Sequence, residues 1–297
     1  MEASGYGIGG FSGLGPGEIH GCFNLGNVTS TGGTNTFGVA GGLWGYGRPR
    51  LYDSYNMGTV TGKTHVGGIA AGAFDDFTLV NVYNAGKIVT SDTTASGNIC
   101  PSAPKYDLYF TNVYYDTDVN PGFTPSQSDA MANGVTTRNL ALAALGDSAY
   151  AAKSGMYPTL KAQAQNELAN WFAAVPVLAA GDTYGAVTSV FVIGTPDGTV
   201  WTASDNLTIT DGNVTSSGVG AAWLTKTYGD HKKTYDLHIT KVSGVDGLNA
   251  DAAIVKTEYY SVSGVALGQH KPAETGVYVA KDYYSNGKSA AHKIVVK

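Results

Sequence analysis

A phrase repeated at nearly constant intervals governs what this chain can fold into: CFNLGNV at 22–28, SYNMGTV at 54–60, VYNAGKI at 82–88 and, worn down, VYYDTDV at 113–119. The intervals are 32, 28 and 31 residues. A glycine-rich phrase alternates with it: GIGGFSG at 7–13, GVAGGLWG at 38–45 and VGGIAAG at 66–72. Periods of this size belong to stacked arrays, in which a unit too small to bury its own apolar side does so against the next copy. The aromatic at 23, 55, 83 and 114 and the apolar residue at 28, 60, 88 and 119 hold fixed offsets around an Asn-x-Gly turn, which suits strand, turn, strand. Copies laid roughly 4.8 Å apart pair each strand with its counterparts above and below. The expectation is a short β-solenoid (β-helix) over 1–120, with Tyr55, Tyr83 and Tyr114 as a core ladder. The glycines at 41, 42, 67 and 68 would serve sharp turns or close backbone packing.

The repeats resemble the GLUG motif family, whose units pair a Tyr-Asn-x-Gly phrase with a Val-Gly-Gly-Ile-Ala-Gly phrase. Tyr55, Asn56, Gly58 and Val60, then Val66, Gly67, Gly68, Ile69, Ala70 and Gly72, carry the likeness. The 22–45 copy departs at Cys22-Phe23 and Leu43-Trp44, and the fourth keeps only Tyr114 and the spacing, as a terminal coil would. The resemblance covers about the first 120 residues. It implies an extracellular bacterial protein, adhesin-like or peptidase-associated, without fixing an activity.

Composition fits a β-rich chain: 43% hydrophobic residues, 41 glycines and only 14% charge. A net charge of -5 spread without blocks excludes nucleic acid and anionic membrane surfaces as expected partners. No run of 18 apolar residues exists, so no membrane span is expected. The chain opens on the second half of a repeat without a cationic, apolar leader, so the export signal and earlier repeats are expected upstream. Cys22 stands where sister repeats have Ser54 and Val82; a small buried filler is the favoured reading over a disulfide to Cys100.

Residues 121–173 carry the helical writing and read as a cap on the last coil plus a linker. Thr137 or Asn139 is the expected helix cap, and Leu140, Leu142 and Leu145 are expected to face inward. Over 174–241, period-2 runs joined by Pro-Asp-Gly, Asp-Gly-Asn and Gly-Asp predict a β-sandwich, and the order Trp201 to Asp205, Asp211 to Thr215, Gly220 and Leu237-His238-Ile239 resembles bacterial immunoglobulin-like domains. Residues 242–297 read as a small C-terminal β-sandwich resembling the type A sorting domain of the type IX secretion system of Bacteroidota. Gly264, Gly276, Tyr278, Gly287 and Lys293 are its matching positions, and the secretion machinery is the implied partner. The fold class is therefore all-β.

Chemistry is sparse. The carboxylate pairs Asp75/Asp76 and Asp116/Asp118 read as turn residues, and the 116–122 run fits a calcium loop poorly, with its glycine one place late. The six histidines are scattered, with no HExxH and no GxSxG elbow. No catalytic residue, metal or cofactor is assigned. Trp44, Tyr46, Tyr52 and Phe74 fall between the repeat phrases, where variable turns would present them to a ligand. The functional expectation is a non-catalytic, adhesin-like scaffold, extracellular or attached to the outer membrane, binding a host or matrix glycan or protein. Its alternatives are an accessory part of a larger secreted hydrolase and a structural spacer.

Overall fold

The computed structural model describes residues 1–5, 7–32, 39–101, 107–146, 148–188, 190–242, 254–285 and 289–296. The repeats stack in register as a parallel β-solenoid with three strand columns. The first stacks Glu2–Ala3, Val28–Ser30, Val60–Thr61 and Ile88–Val89. The second, from the glycine-rich phrases, stacks Ile8–Gly9, Ala40–Gly41 and Val66–Gly67. The third is the longest: Ser12–His20 and Phe23–Asn24 pair with Trp44–Asn56, which pairs with Phe77–Asn84, which pairs with Leu108–Asp116. Phe23, Tyr55, Tyr83 and Tyr114 occupy one column, so even the eroded fourth copy keeps its place.

Two amide devices fix the coil. Asn24 Nδ2 donates to Asn56 Oδ1 and Asn56 Nδ2 to Asn84 Oδ1, both at 2.9 Å, while each asparagine also closes its own Asn-x-Gly turn. The glycine of that turn is required by crowding: a Cβ on Gly58 would sit against the Gly26 carbonyl of the coil below. The doublets Gly41–Gly42 and Gly67–Gly68 lie against backbone of the neighbouring coil where the chain bends, so both expected roles apply, without a left-handed φ. The second device is a corner at Gly21, Asp53, Asn81 and Asn112, all with φ between 48° and 59°. Asn112 Nδ2 donates to Asn81 Oδ1 (2.9 Å) and Asn81 Nδ2 to Asp53 Oδ1 (2.8 Å).

That corner shifts the inside–outside alternation by one residue. Leu51 and Leu79 precede it, and Val82 and Val113 follow it, all in the solenoid's own core. The tyrosines therefore point away from that core. Tyr55 and Tyr83 are nonetheless fully buried, stacked with ring centroids 4.8 Å apart, because the 121–177 segment lies over them. The expected ladder is present, but it forms an external seam with the cap, with Tyr114 only half-buried.

The cap has two tasks. Asn133–Val135 adds a parallel strand to Leu108–Asp116, closing that edge. Ser126 and Asp129 form a capping box on the helix Gln127–Met131, and the Asp129 carboxylate accepts from the N–H groups of Asn98 (2.9 Å) and Ile99 (2.7 Å), replacing a further coil. Residues beyond Thr136 cover the tyrosine seam instead of the coil end. Tyr83 Oη donates to the Pro158 carbonyl (2.6 Å), Tyr150 Oη to the Asn81 carbonyl (2.9 Å), and Gln163 bonds the Tyr55 hydroxyl. The helix Thr137–Ala141 is capped by Thr136, one residue before the expected Thr137 and three before Asn139, because its hydroxyl accepts from Asn139 N. Leu140 and Leu145 are buried as expected, whereas Leu142, at the helix C-cap, is exposed.

Two antiparallel sheets follow. Pro176–Val177, Val190–Ile193, Asn213–Ser216 and Leu207–Thr210 form one; Val200–Ala203, Gly220–Tyr228 and His231–Ile239 form the other. They enclose Phe191, Val214, Leu224, Leu237 and Ile239. The Asp211-Gly212 hairpin has positive φ at both residues (49° and 75°), as a type I′ turn demands. The last unit is one sheet among the described residues: Ala266–Gly268, Ile254–Ser261, Gly276–Tyr284 and Ser289–Val296. The second layer that a sandwich there would need is not among them. Gly264 lies in a turn (φ 86°), Gly276 opens its strand opposite Val296, Tyr278 Oη donates to the Glu274 carbonyl, and Lys293 pairs with Val279. Gly287 lies outside the described residues.

Candidate functional site: a cleft where solenoid, cap and sandwich meet

The hairpin Gly220–Tyr228/His231–Ile239 pairs Ala222 with Leu237, Leu224 with Tyr235 and Lys226 with Lys233. Alternation puts Ala222, Leu224, Leu237 and Ile239 into the sandwich core, and the same parity carries Lys226 and Lys233 onto that face. Two lysines thus stand directly opposite each other where the sandwich meets the cap, an arrangement that like charges disfavour.

Their surroundings differ. Lys226 is 1% exposed, and its Nζ donates to the carbonyls of Trp171 (2.5 Å), Phe172 (3.3 Å) and Ala174 (2.5 Å). Those carbonyls end the helix Glu167–Ala173, which carries partial negative charge and no partners of its own. The Trp171 ring centroid lies 4.5 Å from the ammonium. Burial, with Lys233 beside it, holds the Lys226 pKa well below the usual lysine range. Lys233 makes no side-chain hydrogen bond or ion pair among the described residues; its ammonium lies 5.0 Å from the Tyr235 ring centroid. Its pKa is also lowered, by desolvation, with Asp116 opposing and Lys87 adding to it, although the residue as a whole is exposed to solvent.

Lys233 opens onto a cleft of about 650 Å³. The solenoid contributes Met57, Ala85, Lys87 and Asp118, the cap Tyr157, Trp171 and Phe172, and the sandwich Tyr184, His231, Lys232, Tyr235 and Asp236. The aromatic groups form two pairs: Tyr184 and Tyr235 stack at 6.2 Å, and Trp171 lies 5.6 Å from His231. Four lysines against two aspartates line the space, in a chain whose net charge is -5. Two polar atoms of its walls, Tyr235 Oη and Trp171 Nε1, are buried without a hydrogen-bond partner among the described residues. Such groups cost free energy unless something outside the fold satisfies them.

Asp116 ends the strand Leu108–Asp116. Burial raises its pKa, yet four donors serve it: Tyr157 Oη (2.5 Å), Thr137 Oγ1 (2.7 Å), Asp118 N (2.8 Å) and Val119 N (3.3 Å). Asp118 accepts from Thr137 N at 3.0 Å. The pair therefore fastens the cap to the last coil, as turn carboxylates. Asp75 pairs with Arg48 and accepts from Asp76 N. No group of three or more His, Cys, Asp or Glu side chains placed to hold a metal occurs among the described residues.

Of the aromatics expected in ligand-facing turns, Trp44 is a correction. It is 3% exposed, begins the strand Trp44–Asn56, and covers Gly17, where a Cβ would meet its ring at 2.6 Å. Tyr46 and Tyr52 also lie within that strand and not in turns; Tyr46 and Phe74 come together at 5.6 Å with Phe74 exposed, and Tyr52 stacks on His20 at 4.5 Å. The structure does not assemble the four into one site. Cys22 and Cys100 are free thiols; Cys100 is buried and Cys22 half-buried, opposite Ser54, whose hydroxyl accepts from Cys22 N.

The cleft was missed in the sequence, although a signal existed. In AAWLTKTYGDHKKTYDLHI the apolar parity 222, 224 and 235, 237, 239 extends to Lys226 and Lys233, symmetric about the turn. No protein-family model matches this chain, and no curated protein matches it. No helix among the described residues is long and apolar enough to cross a membrane.

Proposed function

We propose that this chain is a non-catalytic binding module of a cell-surface protein, adhesin-like, and that it takes a glycan in the cleft between solenoid and sandwich. The observation that carries the reading is the aromatic-lined cleft of about 650 Å³, placed at a junction of units where ligand sites concentrate. The solenoid, cap and sandwich interlock through the tyrosine seam and Lys226, which gives the cleft rigid walls.

In this reading the repeats are of the GLUG kind, the seven-stranded sandwich is an immunoglobulin-like stalk, and the 242–297 unit is the sorting domain for export to the cell surface. The repeat phrases, the two-sheet arrangement and the turn at Gly264 support these assignments.

A glycan array probed with the full chain tests the proposal. Binding is expected and should be abolished by Tyr235→Ala, while Tyr46→Ala and Phe74→Ala leave it intact. Binding that survives Tyr235→Ala but is lost with Phe74→Ala would move the site to the solenoid surface, and no binding to any glycan would overturn the reading.

A further inference from the structure

We infer that the cleft selects anionic sugars, its preferred ligand being a carboxylated pyranose whose carboxylate pairs with the Lys233 ammonium while its ring lies among Trp171, Tyr184 and Tyr235. This rests on the glycan-binding reading above and names the class of glycan.

Three independent features converge. Lys233 is directly paired with another lysine and lacks a carboxylate partner among the described residues, so an incoming anion would offset a repulsion already present in the fold. Lys87 and Lys232 line the same space and reinforce its sign. The rings of Trp171, Tyr184 and Tyr235 line that space and offer apolar faces to a pyranose. Lys226 is not part of the recognition: its three carbonyl partners already occupy it, which leaves Lys233 as the member of the pair free to bind.

The pairing also separates binding from stability. A residue kept for the fold weakens the fold when altered, whereas a repelled ammonium should not.

The test is calorimetric titration of the full chain with trigalacturonic acid, its fully methyl-esterified form and a sulfated galactose trisaccharide. The acid should bind at least about tenfold more tightly than the ester, the strength of one charge-assisted contact. Lys233→Met should remove about tenfold from the affinity for the acid and leave that for the ester unchanged. Tyr235→Ala, which removes the ring, should weaken both. Ester and acid binding equally would overturn the inference while leaving glycan binding in place. Tighter binding of the sulfated sugar than of the acid would overturn the choice of carboxylate, and an unchanged acid affinity in Lys233→Met would overturn the assignment of Lys233. Failure of all three sugars to bind would overturn the inference, and the glycan array alone then decides the parent reading.

Discussion

The solenoid and the sandwich both place identical residues opposite each other across neighbouring strands, with opposite consequences. In the solenoid, Asn24, Asn56 and Asn84 stack and each amide donates to the next, while Tyr55 stacks on Tyr83 at the layer spacing. An amide is both donor and acceptor and an aromatic ring attracts its offset neighbour, so repetition of these residues stabilises. In the sandwich, Lys226 faces Lys233, and an ammonium is a donor only. Repetition there is unfavourable, and the fold resolves half of it by giving Lys226 to a helix end. The comparison separates residues repeated because stacking rewards them from residues placed against the local energetics, which is where a binding role is best sought.

The largest effect that can break this comparison is alkaline. Burial raises the pKa of Tyr55, Tyr83, Tyr150 and Tyr157 above the usual tyrosine value. Groups with a raised folded-state pKa contribute stability below the unfolded value and lose it as pH rises, because only the unfolded chain releases the proton. Each should remove about 1.4 kcal/mol per pH unit above about pH 10, so the four together remove about 5–6 kcal/mol per unit. Tyrosinate absorbance should appear in one cooperative step with loss of far-ultraviolet circular dichroism. Titration of these phenols ahead of unfolding would show that the cap does not seal the seam.

Next in size is the amide ladder. Asn56 takes part in four hydrogen bonds, to or from Asn24, Gly58 and Asn84. At about 1 kcal/mol each, Asn56→Ala should cost about 4 kcal/mol in denaturant unfolding. A loss below about 1 kcal/mol would mean that stacking of identical amides adds nothing.

The two lysines should then part company. Lys226→Met leaves the carbonyls at the end of Glu167–Ala173 without their donor and should cost about 2 kcal/mol. Since burial lowers the folded-state pKa of Lys226, its charged form costs the fold free energy, and wild-type stability gains from this group as pH rises toward about 10.5. That rise should vanish in Lys226→Met. Lys233→Met, the smallest effect, should stabilise by about 0.5 kcal/mol through relief of the pair. If both substitutions destabilise equally, Lys233 is structural, and the contrast between the two halves of the pair fails.

The repeat phrases determined a great deal by themselves. Their fixed offsets dictated parallel stacking in register, down to the fourth copy with little but Tyr114 left, because only in-register stacking pairs every backbone group and buries like against like. The hairpin at Asp211-Gly212 and the alternation around it were equally legible, since turn chemistry and period-2 burial are local properties. Which way the tyrosines point was not. It depends on the left-handed corner at Asp53, Asn81 and Asn112, and on a cap more than twenty residues further on that arrives to cover them. Trp44 was misplaced for the same reason, since its burial over Gly17 is a contact between coils. The cleft belongs wholly to tertiary structure: Lys87, Trp171 and Lys233 lie far apart in the chain, and only the docking of sandwich on cap brings their side chains to one space. Periodicity fixes what repeats, whereas a site made between units depends on distances that no single unit encodes.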